Sequence, residues 1–328
     1  MQIMKAVITT KYGPAEVLEL REIEKPVPGD QDVLVRIHAA TPHAGDWHLM
    51  KGEPFILRLM GFGFSRPRSP VLGSNIAGTV EAVGARVTRF KAGDEVFGGR
   101  DGFVDYGGGF AEFARVPEMK LALKPSNISF EEAAGVTVSA STALHGLRDV
   151  GHLEAGQKVL VVGASGGVGS YAVQIAKALG AEVTGVCSTA NVELLYSLGA
   201  DHVIDYKKAD CTKNGEQYDL ILDTAAYRSV LDYKASLSAR GRYLFVGGSG
   251  ARLIQVMLLG PLVAMTSTRK MTSLMAESTP ELLNTLKELL AEGKIKTVID
   301  RIFPLNETAD AIRHQEHGHP RGKIVITV

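Results

Sequence analysis

A glycine-rich turn at residues 163–169, called the glycine turn below, has the residue types and spacing that most clearly suit the binding of a ligand. Its glycines are Gly163, Gly166, Gly167 and Gly169. Side chains at such positions would keep a ligand away from the backbone, whereas glycine lets a pyrophosphate approach the amide groups and the positive end of a helix. The turn therefore indicates a dinucleotide site, although tight turns also use glycine for conformational reasons alone.

The segments on both sides of the glycine turn are the elements that must position it. Residues 159–162 are four apolar residues in a row, which is typical of a strand buried on both faces of a sheet. Residues 170–179 have apolar residues at helical spacing, and Gly180 suits the end of a helix. Further strands are predicted at residues 182–186, 202–204, 218–222 and 242–246, with a helix at residues 191–198. This alternation predicts an α/β fold with a doubly wound parallel sheet.

The composition is that of a globular protein large enough for two domains. The chain has 328 residues, of which 45% are hydrophobic and 22% charged, and its net charge is zero. This neutrality gives no reason to expect nucleic acid or an anionic membrane as a partner. Its two cysteines, Cys187 and Cys211, cannot build a disulfide framework or a four-thiolate zinc site. Because the first residues lead directly into a strand-like segment, without secretory or transit features, we expect a cytoplasmic location.

Short strands without intervening helices characterise the N-terminal part, which we expect to be antiparallel and barrel-like. These strands are predicted at residues 4–9, 33–39, 76–83, 95–97 and 110–116. Near the C-terminus, an amphipathic helix has Thr279 as its N-cap and Pro280 as its first residue. A last strand at residues 323–328 is expected to return to the N-terminal part. The predicted domains are residues 1–125 together with 273–328, and residues 126–272.

The longest apolar run, residues 253–265, is interrupted by Gln255, Gly260 and Pro261. It is too short to cross a bilayer as a helix. We expect it to be buried at a domain or subunit contact, with a wall of a substrate channel or a surface that touches a membrane as the alternatives.

A series of short motifs runs through essentially the whole chain in one order. They are Lys5-Ala-Val, Pro70-Val-Leu-Gly73, Ala77-Gly-Thr-Val-Glu-Ala-Val-Gly84, Phe90-Lys-Ala-Gly-Asp-Glu-Val96, Gly109-Phe-Ala-Glu112, the glycine turn and Gly322-Lys-Ile-Val. On these motifs the sequence resembles the medium-chain dehydrogenase/reductase superfamily, specifically its zinc-independent, quinone oxidoreductase-like branch. The resemblance implies a GroES-like β-barrel catalytic domain, a Rossmann domain, a cleft between them and commonly a homodimer.

The positions at which zinc-dependent relatives bind their metal differ in this sequence. Those relatives place Cys-His or Cys-Arg after the strand at residues 33–39, and Gly-His-Glu near residue 73. This chain has Thr41-Pro-His43 and Gly73-Ser-Asn75 there, and without thiolates or a His-Glu pair a tetrahedral zinc cannot be held. The remaining candidates for a metal site, His314, His317 and His319, match no compact site in their Gly/Pro-containing loop. We therefore predict no metal.

A site without zinc lacks the Lewis acid that would polarise an alcohol or carbonyl oxygen. It must therefore reduce acceptors that are already electron-poor, with the nicotinamide as the hydride source and the protein positioning the reactants. Quinones and α,β-unsaturated carbonyls meet that condition. The apolar loop at residues 54–64, with Gly61 and Gly63 as candidate hinges, would enclose such a flat substrate or else pack against the domain or a partner subunit.

His43 and Asp46 are the candidates for catalytic contact. The family usually has asparagine at the first of these positions, in an Asn-Pro-x-Asp pattern that reads His43-Ala-Gly-Asp46 in this chain. A histidine there can donate a proton to a quinone oxygen or an enolate. Positioning of the cofactor and the absence of any function are the alternatives for His43, and capping a helix or orienting a neighbour is the alternative for Asp46.

Most candidate cofactor contacts follow from the fingerprint and from the resemblance. Contacts near the pyrophosphate are expected from the following residues of the glycine turn: Gly163, Ser165, Gly166, Gly167 and Val168. Thr142 matches a family threonine beside the nicotinamide, and the segment Val246, Gly247 and Gly248 matches the one that reaches its carboxamide. Lys323 matches an arginine on the pyrophosphate, with a solvated lysine at the start of an edge strand as its alternative.

The choice between the two nicotinamide cofactors depends on the end of the second strand of the Rossmann domain. NAD-binding domains usually have Asp or Glu there, to hold the ribose 2′-hydroxyl. This chain has Ser188 and Thr189 instead, whose hydroxyls suit a 2′-phosphate, although Ala190 replaces the basic residue of many relatives. Tyr206 and Lys207 stand where the family contacts the same phosphate. We therefore expect NADPH.

The sequence thus predicts a zinc-independent, NADPH-dependent reductase of quinones or other electron-poor carbonyl acceptors. An alkenal or enone double-bond reductase is the alternative enzyme. A third hypothesis keeps the NADPH site for a structural or regulatory role without catalysis. The intact glycine turn supports cofactor binding under all three and does not separate them.

Overall fold

The computed structural model describes residues 2–55, 58–101, 107–274, 278–317 and 320–328. In chain order its strands are β1 (Ile3–Ile8), β2 (Glu19–Glu24), β3 (Asp32–Thr41), β4 (Asn75–Val83), β5 (Glu95–Gly98), β6 (Phe113–Pro117), β7 (Leu121–Leu123), β8 (Lys158–Val162), β9 (Glu182–Cys187), β10 (His202–Asp205), β11 (Tyr218–Asp223), β12 (Leu237–Phe245), β13 (Lys270–Ser273), β14 (Ile299–Pro304) and β15 (Lys323–Thr327). Its helices are α1 (Ala44–Lys51), α2 (Phe130–Ala134), α3 (Thr137–Leu144), α4 (Gly167–Ala178), α5 (Val192–Ser197), α6 (Val230–Ala235), α7 (Gly250–Thr266), α8 (Pro280–Ala291) and α9 (Thr308–His317).

The chain divides into two compact units, one formed by Met1–Val138 with Glu277–Val328 and the other by Ser139–Ala276. The boundaries therefore lie after residues 138 and 276, whereas the sequence placed them after residues 125 and 272. The first difference arises because α2 packs within the first unit. The ring of Phe130 lies 4.3 Å from that of His38 on β3, and the Thr41 hydroxyl donates to the carbonyl of Ala134 at 3.0 Å.

The second unit contains a sheet of six parallel strands in the order β10-β9-β8-β11-β12-β13. This confirms the doubly wound parallel sheet predicted from the alternation of strands and helices. The strand before the glycine turn, β8, has Val159, Leu160, Val161 and Val162 fully buried, as its apolar run indicated. The edge strand β13 was not predicted, because Met271 is its only buried side chain and no apolar run marks it.

The first unit contains a mainly antiparallel sheet in the order β14-β15-β3-β4-β5-β7, with β6 paired to β3. Among the described strand pairs of this sheet, only β14 with β15 is parallel. The return of the C-terminal strand is confirmed, because Ile326 on β15 lies opposite Ala40 on β3. Apolar residues of β3 alternate into the core with those of neighbouring strands, for example Val33, Val35 and Ile37 with Ile76. The antiparallel, barrel-like character expected of the N-terminal part is thus confirmed.

The two leucine-rich helices near the C-terminus have different surroundings. In α8, Thr279 is the N-cap and its hydroxyl accepts from the amide of Leu282 at 3.3 Å, as predicted. The apolar face of α8 is buried. By contrast, residues 253–265 form part of α7, and their own unit leaves the following side chains 55–82% exposed: Ile254, Met257, Leu258, Leu262 and Met265. Their burial at a domain or subunit contact stays a prediction. No described helix is long and apolar enough to span a membrane.

Candidate cofactor site and catalytic cluster

The glycine turn connects β8 to α4, and two of its glycines are required by the packing of the protein itself. Gly163 has a φ of +75°, which L-residues rarely adopt. A Cβ atom on Gly169 would lie 2.2 Å from the carbonyl oxygen of Gly163 and 2.7 Å from the Cα of Ala164. The absence of a side chain at Gly169 thus allows α4 to pack closely on the strand that precedes it.

Gly166 is different, because no contact with the described residues requires a glycine there. It is the N-cap of α4 with an ordinary extended backbone, and a Cβ atom would meet only the carbonyl oxygen of Gly163 at 3.4 Å. No side chain caps the first turn of α4, and residues 165–168 are partly exposed. Free amide groups, the helix dipole and space at the backbone together suit a pyrophosphate. The glycine turn therefore fits a nicotinamide dinucleotide.

The polar residues at the end of β9 are linked to one another and to the glycine turn. The side-chain amide of Asn191 donates to the hydroxyl oxygens of Ser165 at 3.0 Å and Ser188 at 3.3 Å. Ser188 therefore keeps its own hydroxyl proton for another acceptor. Sequence reasoning did not assign a role to Asn191, because nothing in the sequence shows that it bridges two loops.

A carboxylate from the neighbouring strand reaches Thr189. The Thr189 hydroxyl donates to Asp205 Oδ2 at 2.7 Å, and this bond is the largest cause of a lowered pKa at Asp205. The proton of Thr189 is thus committed within the protein, and a phosphate oxygen cannot accept it at the same time. Of the two hydroxyls expected to bind a 2′-phosphate, that of Thr189 thus has another acceptor in this structure, and the role of Ser188 stays a prediction. Tyr206 is 49% exposed at the end of β10.

The remaining candidates of the second unit lie in two places, on α3 and in the segment after β12. Thr142 lies on α3 and is 9% exposed. Val246 follows β12, and its amide donates to the carbonyl of Asp223 on the adjacent β11 at 2.8 Å. Gly248 has a φ of +118°, and a Cβ atom on it would lie 2.4 Å from the carbonyl oxygen of Ala225. The predicted segment from Val246 to Gly248 thus lies beside the loop that follows β11.

In the first unit, His43 is the N-cap of α1. Its Nδ1 accepts from the amide of Gly45 at 2.9 Å, so the proton of the neutral ring is on Nε2. Nε2 lies 2.8 Å from Ser74 Oγ and therefore donates to it. Burial is the largest influence on the ring and lowers the pKa of His43, against an opposing effect of the Asp46 carboxylate. His43 is consequently neutral near neutral pH.

Asp46 orients its neighbours with both carboxylate oxygens. Oδ2 accepts from the backbone amide of His43 at 2.9 Å, and Oδ1 accepts from the amide of Gly73 at 2.9 Å. The side chain is fully buried. This geometry confirms helix capping and orientation, the alternative that the sequence left open for Asp46. It also draws the segment that contains Ser74 against the start of α1.

Lys323 completes this group, and His43, Asp46, Ser74 and Lys323 are called the His43 cluster below. Lys323 is only 3% exposed, and its Nζ donates to the carbonyl of Pro42 at 3.3 Å. Burial lowers its pKa to about 8, while the Asp46 carboxylate opposes the shift. The alternative of a solvated lysine is therefore wrong. The pyrophosphate role of Lys323 stays a prediction.

The two segments that hold zinc in the zinc-dependent relatives are hydrogen-bonded to each other in this chain, through His43 and Ser74. Among the described residues, no group of three or more His, Cys, Asp or Glu side chains is arranged to hold a metal ion. The C-terminal histidines were expected in a loop, but His314 and His317 lie on the helix α9. His314 Nε2 lies 2.8 Å from Asp300 Oδ2. His319 lies outside the described residues.

The apolar loop at residues 54–64 is only partly described, because residues 56 and 57 fall outside the described ranges. Phe55, Leu59 and Phe64 are 55–67% exposed, so packing within their own unit does not cover them. Gly63 has a φ of +111°, and a Cβ atom on it would lie 2.0 Å from the carbonyl oxygen of Arg66. A tight turn thus explains this glycine, while the hinge role proposed for it and for Gly61 stays a prediction.

Comparison with known proteins decides the family. A profile described as alcohol dehydrogenase GroES-like domain matches residues 29–126, and one described as zinc-binding dehydrogenase matches residues 198–326. The chloroplastic quinone oxidoreductase QR1 of Triphysaria versicolor is 34% identical over 99% of this chain and 98% of its own length. The chain belongs to the zinc-independent, quinone oxidoreductase-like branch of the medium-chain dehydrogenase/reductase superfamily. Its units are accordingly a GroES-like domain and a Rossmann domain.

Two further proteins are similar to this chain over most of its length. The chloroplastic NADPH-dependent alkenal/one oxidoreductase of Arabidopsis thaliana is 32% identical over 98% of this chain and 79% of its own length. The solved structure of the quinone oxidoreductase from Coxiella burnetii has a TM-score of 0.88 at 27% identity, with each chain fully covered. As a member of the superfamily, this protein is an oxidoreductase that uses a nicotinamide cofactor.

Proposed function

We propose that this protein is an NADPH-dependent reductase that transfers hydride to quinones or other electron-poor carbonyl acceptors without zinc. The observation that carries the proposal is the space at Gly166, where no side chain caps α4 and where no packing contact with the described part of the chain explains the glycine. The nicotinamide cofactor supplies the hydride when it is bound. The residues of the chain bind and orient the reactants.

In this proposal His43 donates a hydrogen bond and does not act as an acid. Because burial keeps the ring neutral, it has no imidazolium proton to release near neutral pH. Its Nε2–H is fixed by the contact between Nδ1 and Gly45 and is donated to Ser74 Oγ. An acceptor oxygen would take the place of Ser74 Oγ as the partner of this N–H, which would then stabilise negative charge on it. Asp46 supports this role by fixing the backbone of His43.

The preference for NADPH is supported by Ser188 and Tyr206. Ser188 keeps a hydroxyl proton for a phosphate oxygen because Asn191 donates to its oxygen. Asp205 stands on the strand next to β9, and its carboxylate is satisfied by the Thr189 hydroxyl and by the amide of Lys207 at 3.0 Å. It therefore differs from the ribose-binding carboxylate that usually ends the second strand of a NAD site.

Reduction of a carbon–carbon double bond is the alternative activity. It is favoured by relatives named for it, such as the alkenal/one oxidoreductase of Arabidopsis thaliana and the 2-methylene-furan-3-one reductase of Solanum lycopersicum. Both activities need an electron-poor acceptor and a hydride source. The acceptor therefore has to be determined by turnover.

The deciding experiment measures NADPH oxidation at saturating cofactor with a quinone and an enone of similar size, and NADH in parallel. Faster quinone turnover supports the proposal, whereas faster enone turnover identifies a double-bond reductase. Binding of NADPH without turnover of either acceptor would leave the structural or regulatory role. Equal affinity for NADH and NADPH would contradict the role given to Ser188 and Tyr206.

We further propose that the protein forms a homodimer through α7 and β13. The exposed side of α7 carries Met257, Leu258 and Leu262, and β13 is the last strand of its sheet. A second copy can pair with this edge strand and cover the apolar face by two-fold symmetry. Leu258→Asp should shift the mass measured by sedimentation from dimer to monomer, and a wild-type monomer would contradict the proposal.

A cytoplasmic location also stays a proposal. It is supported by the neutral composition and by the presence of only two cysteines. Fractionation of cells that produce the full-length protein would test it, and recovery in an organelle fraction would contradict it.

A further inference from the structure

The loop at residues 224–226 follows β11 and lies at the place where the strand order of the Rossmann sheet reverses. β8 and β11 are neighbours there, although β9 and β10 separate them in sequence. In doubly wound sheets the crevice at the carboxyl ends of such strands is where ligands bind. The amide of Thr224 donates to the carbonyl of Val162 at 3.0 Å, which ties the loop to the strand before the glycine turn.

This loop separates the two glycine segments that were assigned to the cofactor. A Cβ atom on Gly163 would lie 2.5 Å from Thr224 Oγ1 and 3.1 Å from the Cβ of Ala225. On its other side, a Cβ atom on Gly248 would lie 2.4 Å from the carbonyl oxygen of Ala225 and 2.8 Å from the Cβ of Ala226. The position of the loop therefore sets the space between the glycine turn and the segment after β12.

The loop is held in a conformation that its sequence does not favour. Ala226 has a φ of +45° and is 1% exposed. A left-handed conformation is unfavourable for a residue with a Cβ atom, so another interaction must maintain it.

The side chain of Asp223 provides that interaction. It is fully buried, and its Oδ1 accepts from the amides of Ala225 at 3.1 Å and Ala226 at 2.7 Å. Its Oδ2 accepts from the Tyr243 hydroxyl at 2.8 Å. The two oxygens thus have separate partners. Oδ1 accepts from the loop, and Oδ2 accepts from Tyr243 in the core of the second unit.

We propose that Asp223 is a positioning residue for cofactor binding, because its carboxylate holds Ala226 in the left-handed conformation and thereby fixes the loop between the two glycine segments. This inference rests on the cofactor site of the proposed function. It does not depend on the identity of the acceptor. It predicts that the loop geometry, and not the charge of Asp223 as such, determines the affinity for the cofactor.

The variants Asp223→Ala and Asp223→Asn separate these possibilities. Asparagine keeps an oxygen for both amides and offers its own amide to the Tyr243 oxygen, so the dissociation constant of NADPH should stay within about twofold of wild type. Alanine leaves both amides without their acceptor, and the dissociation constant should rise about tenfold or more. Adding Ala226→Gly to Asp223→Ala should restore most of the affinity, because glycine adopts the left-handed conformation unaided.

Tyr243→Phe is the matched control for a purely structural effect. It removes the partner of Oδ2 and lowers the melting temperature, but it leaves the loop hydrogen bonds in place and should not change the affinity for NADPH. Affinity is measured by fluorescence titration without an acceptor, alongside thermal unfolding. If Asp223→Ala does not fold, Asp223→Ser replaces it, because the shorter side chain cannot reach both amides.

The outcomes are distinguishable. Unchanged affinity in the folded Asp223→Ala or Asp223→Ser variant, or no recovery with Ala226→Gly, would overturn the positioning role while leaving the proposed function intact. Loss of affinity in Tyr243→Phe equal to that in Asp223→Ala would also overturn it. If the wild-type protein itself binds neither NADPH nor NADH, the proposed function fails instead.

Discussion

The glycine turn and the His43 cluster are built in opposite ways. The glycine turn consists of backbone, and its residues lie within seven consecutive positions. The His43 cluster consists of side chains from α1, from the segment before β4 and from β15, which are as far apart in sequence as residues 43 and 323. The first is therefore specified by local geometry, and the second exists only when the sheet has formed.

This difference determines how tolerant each site is of substitution. In the glycine turn any added side chain acts directly on backbone geometry or on the space for the ligand. In the His43 cluster each side chain has a defined hydrogen-bonding partner, so a substitution removes one interaction and leaves another group unpaired. The following predictions test this distinction, beginning with the largest expected effect.

Gly169→Ala should be the most damaging of the substitutions considered. Its Cβ atom would lie 2.2 Å from the carbonyl oxygen of Gly163, so α4 must move away from β8. We expect a loss of about 3 kcal/mol in the free energy of unfolding and no measurable binding of NADPH.

Gly166→Ala is the control, since it has space for the added methyl group. It should fold with wild-type stability and still bind NADPH about tenfold more weakly. Wild-type affinity in Gly166→Ala would show that the ligand does not approach this backbone.

Lys323→Met should change the pH dependence of stability. The pKa of Lys323 is about 8 in the folded state, against 10.5 for the free side chain. Between these values the unfolded chain binds more protons, so stability from this group rises with pH. At about 1.4 kcal/mol per pKa unit, the advantage of Lys323→Met over wild type should shrink by about 3 kcal/mol from below pH 8 to above pH 10.5.

The measurement is chemical denaturation of both proteins across that range. Because Lys323 loses its charge above pH 8, binding of NADPH should also weaken there in wild type and not in Lys323→Met. A constant difference in stability between the two proteins would mean that folding does not shift the pKa of Lys323.

His43→Ala should have a moderate effect on both stability and turnover. The N-cap of α1 loses its acceptor for the Gly45 amide, which costs about 1 kcal/mol, and turnover of the acceptor should fall about tenfold. His43→Asn restores a good N-cap and a hydrogen-bond donor, so its stability should match wild type. Thermal unfolding and steady-state kinetics separate the two contributions. If the asparagine variant is as slow as the alanine variant, the imidazole itself is needed.

Ser188→Ala and Thr189→Ala should differ in their effect on the affinity for NADPH, although the two hydroxyls are adjacent in sequence. Removal of the Ser188 hydroxyl should raise the dissociation constant of NADPH about tenfold and leave that of NADH unchanged. Thr189→Ala should change the affinity for NADPH less than about threefold, because its hydroxyl is committed to Asp205. Titration of both cofactors checks this order, and a larger effect at Thr189 would show that Asp205 releases it when the cofactor binds.

Local patterns in the sequence predicted elements with a strong local signal well, and elements whose burial depends on their neighbours less well. β8 and α8 carry strong signals, a buried apolar run and an N-cap followed by a regular apolar face, and both are confirmed. β13 was missed because an edge strand needs only one buried residue. α7 was recognised as apolar, but hydrophobicity along a helix does not show whether the neighbouring elements cover it.

The amino-acid sequence by itself determined the glycine turn, because the requirements of strand, glycine and helix are met by residues that follow one another. It also identified the family. Only the tertiary structure decided the state of the side chains: the neutral ring of His43 held between Gly45 and Ser74, the buried Lys323, and the commitment of Thr189 to Asp205. Protonation and hydrogen bonding depend on burial and on partners that the sheets bring together, and neither can be predicted from the spacing of residues in the sequence.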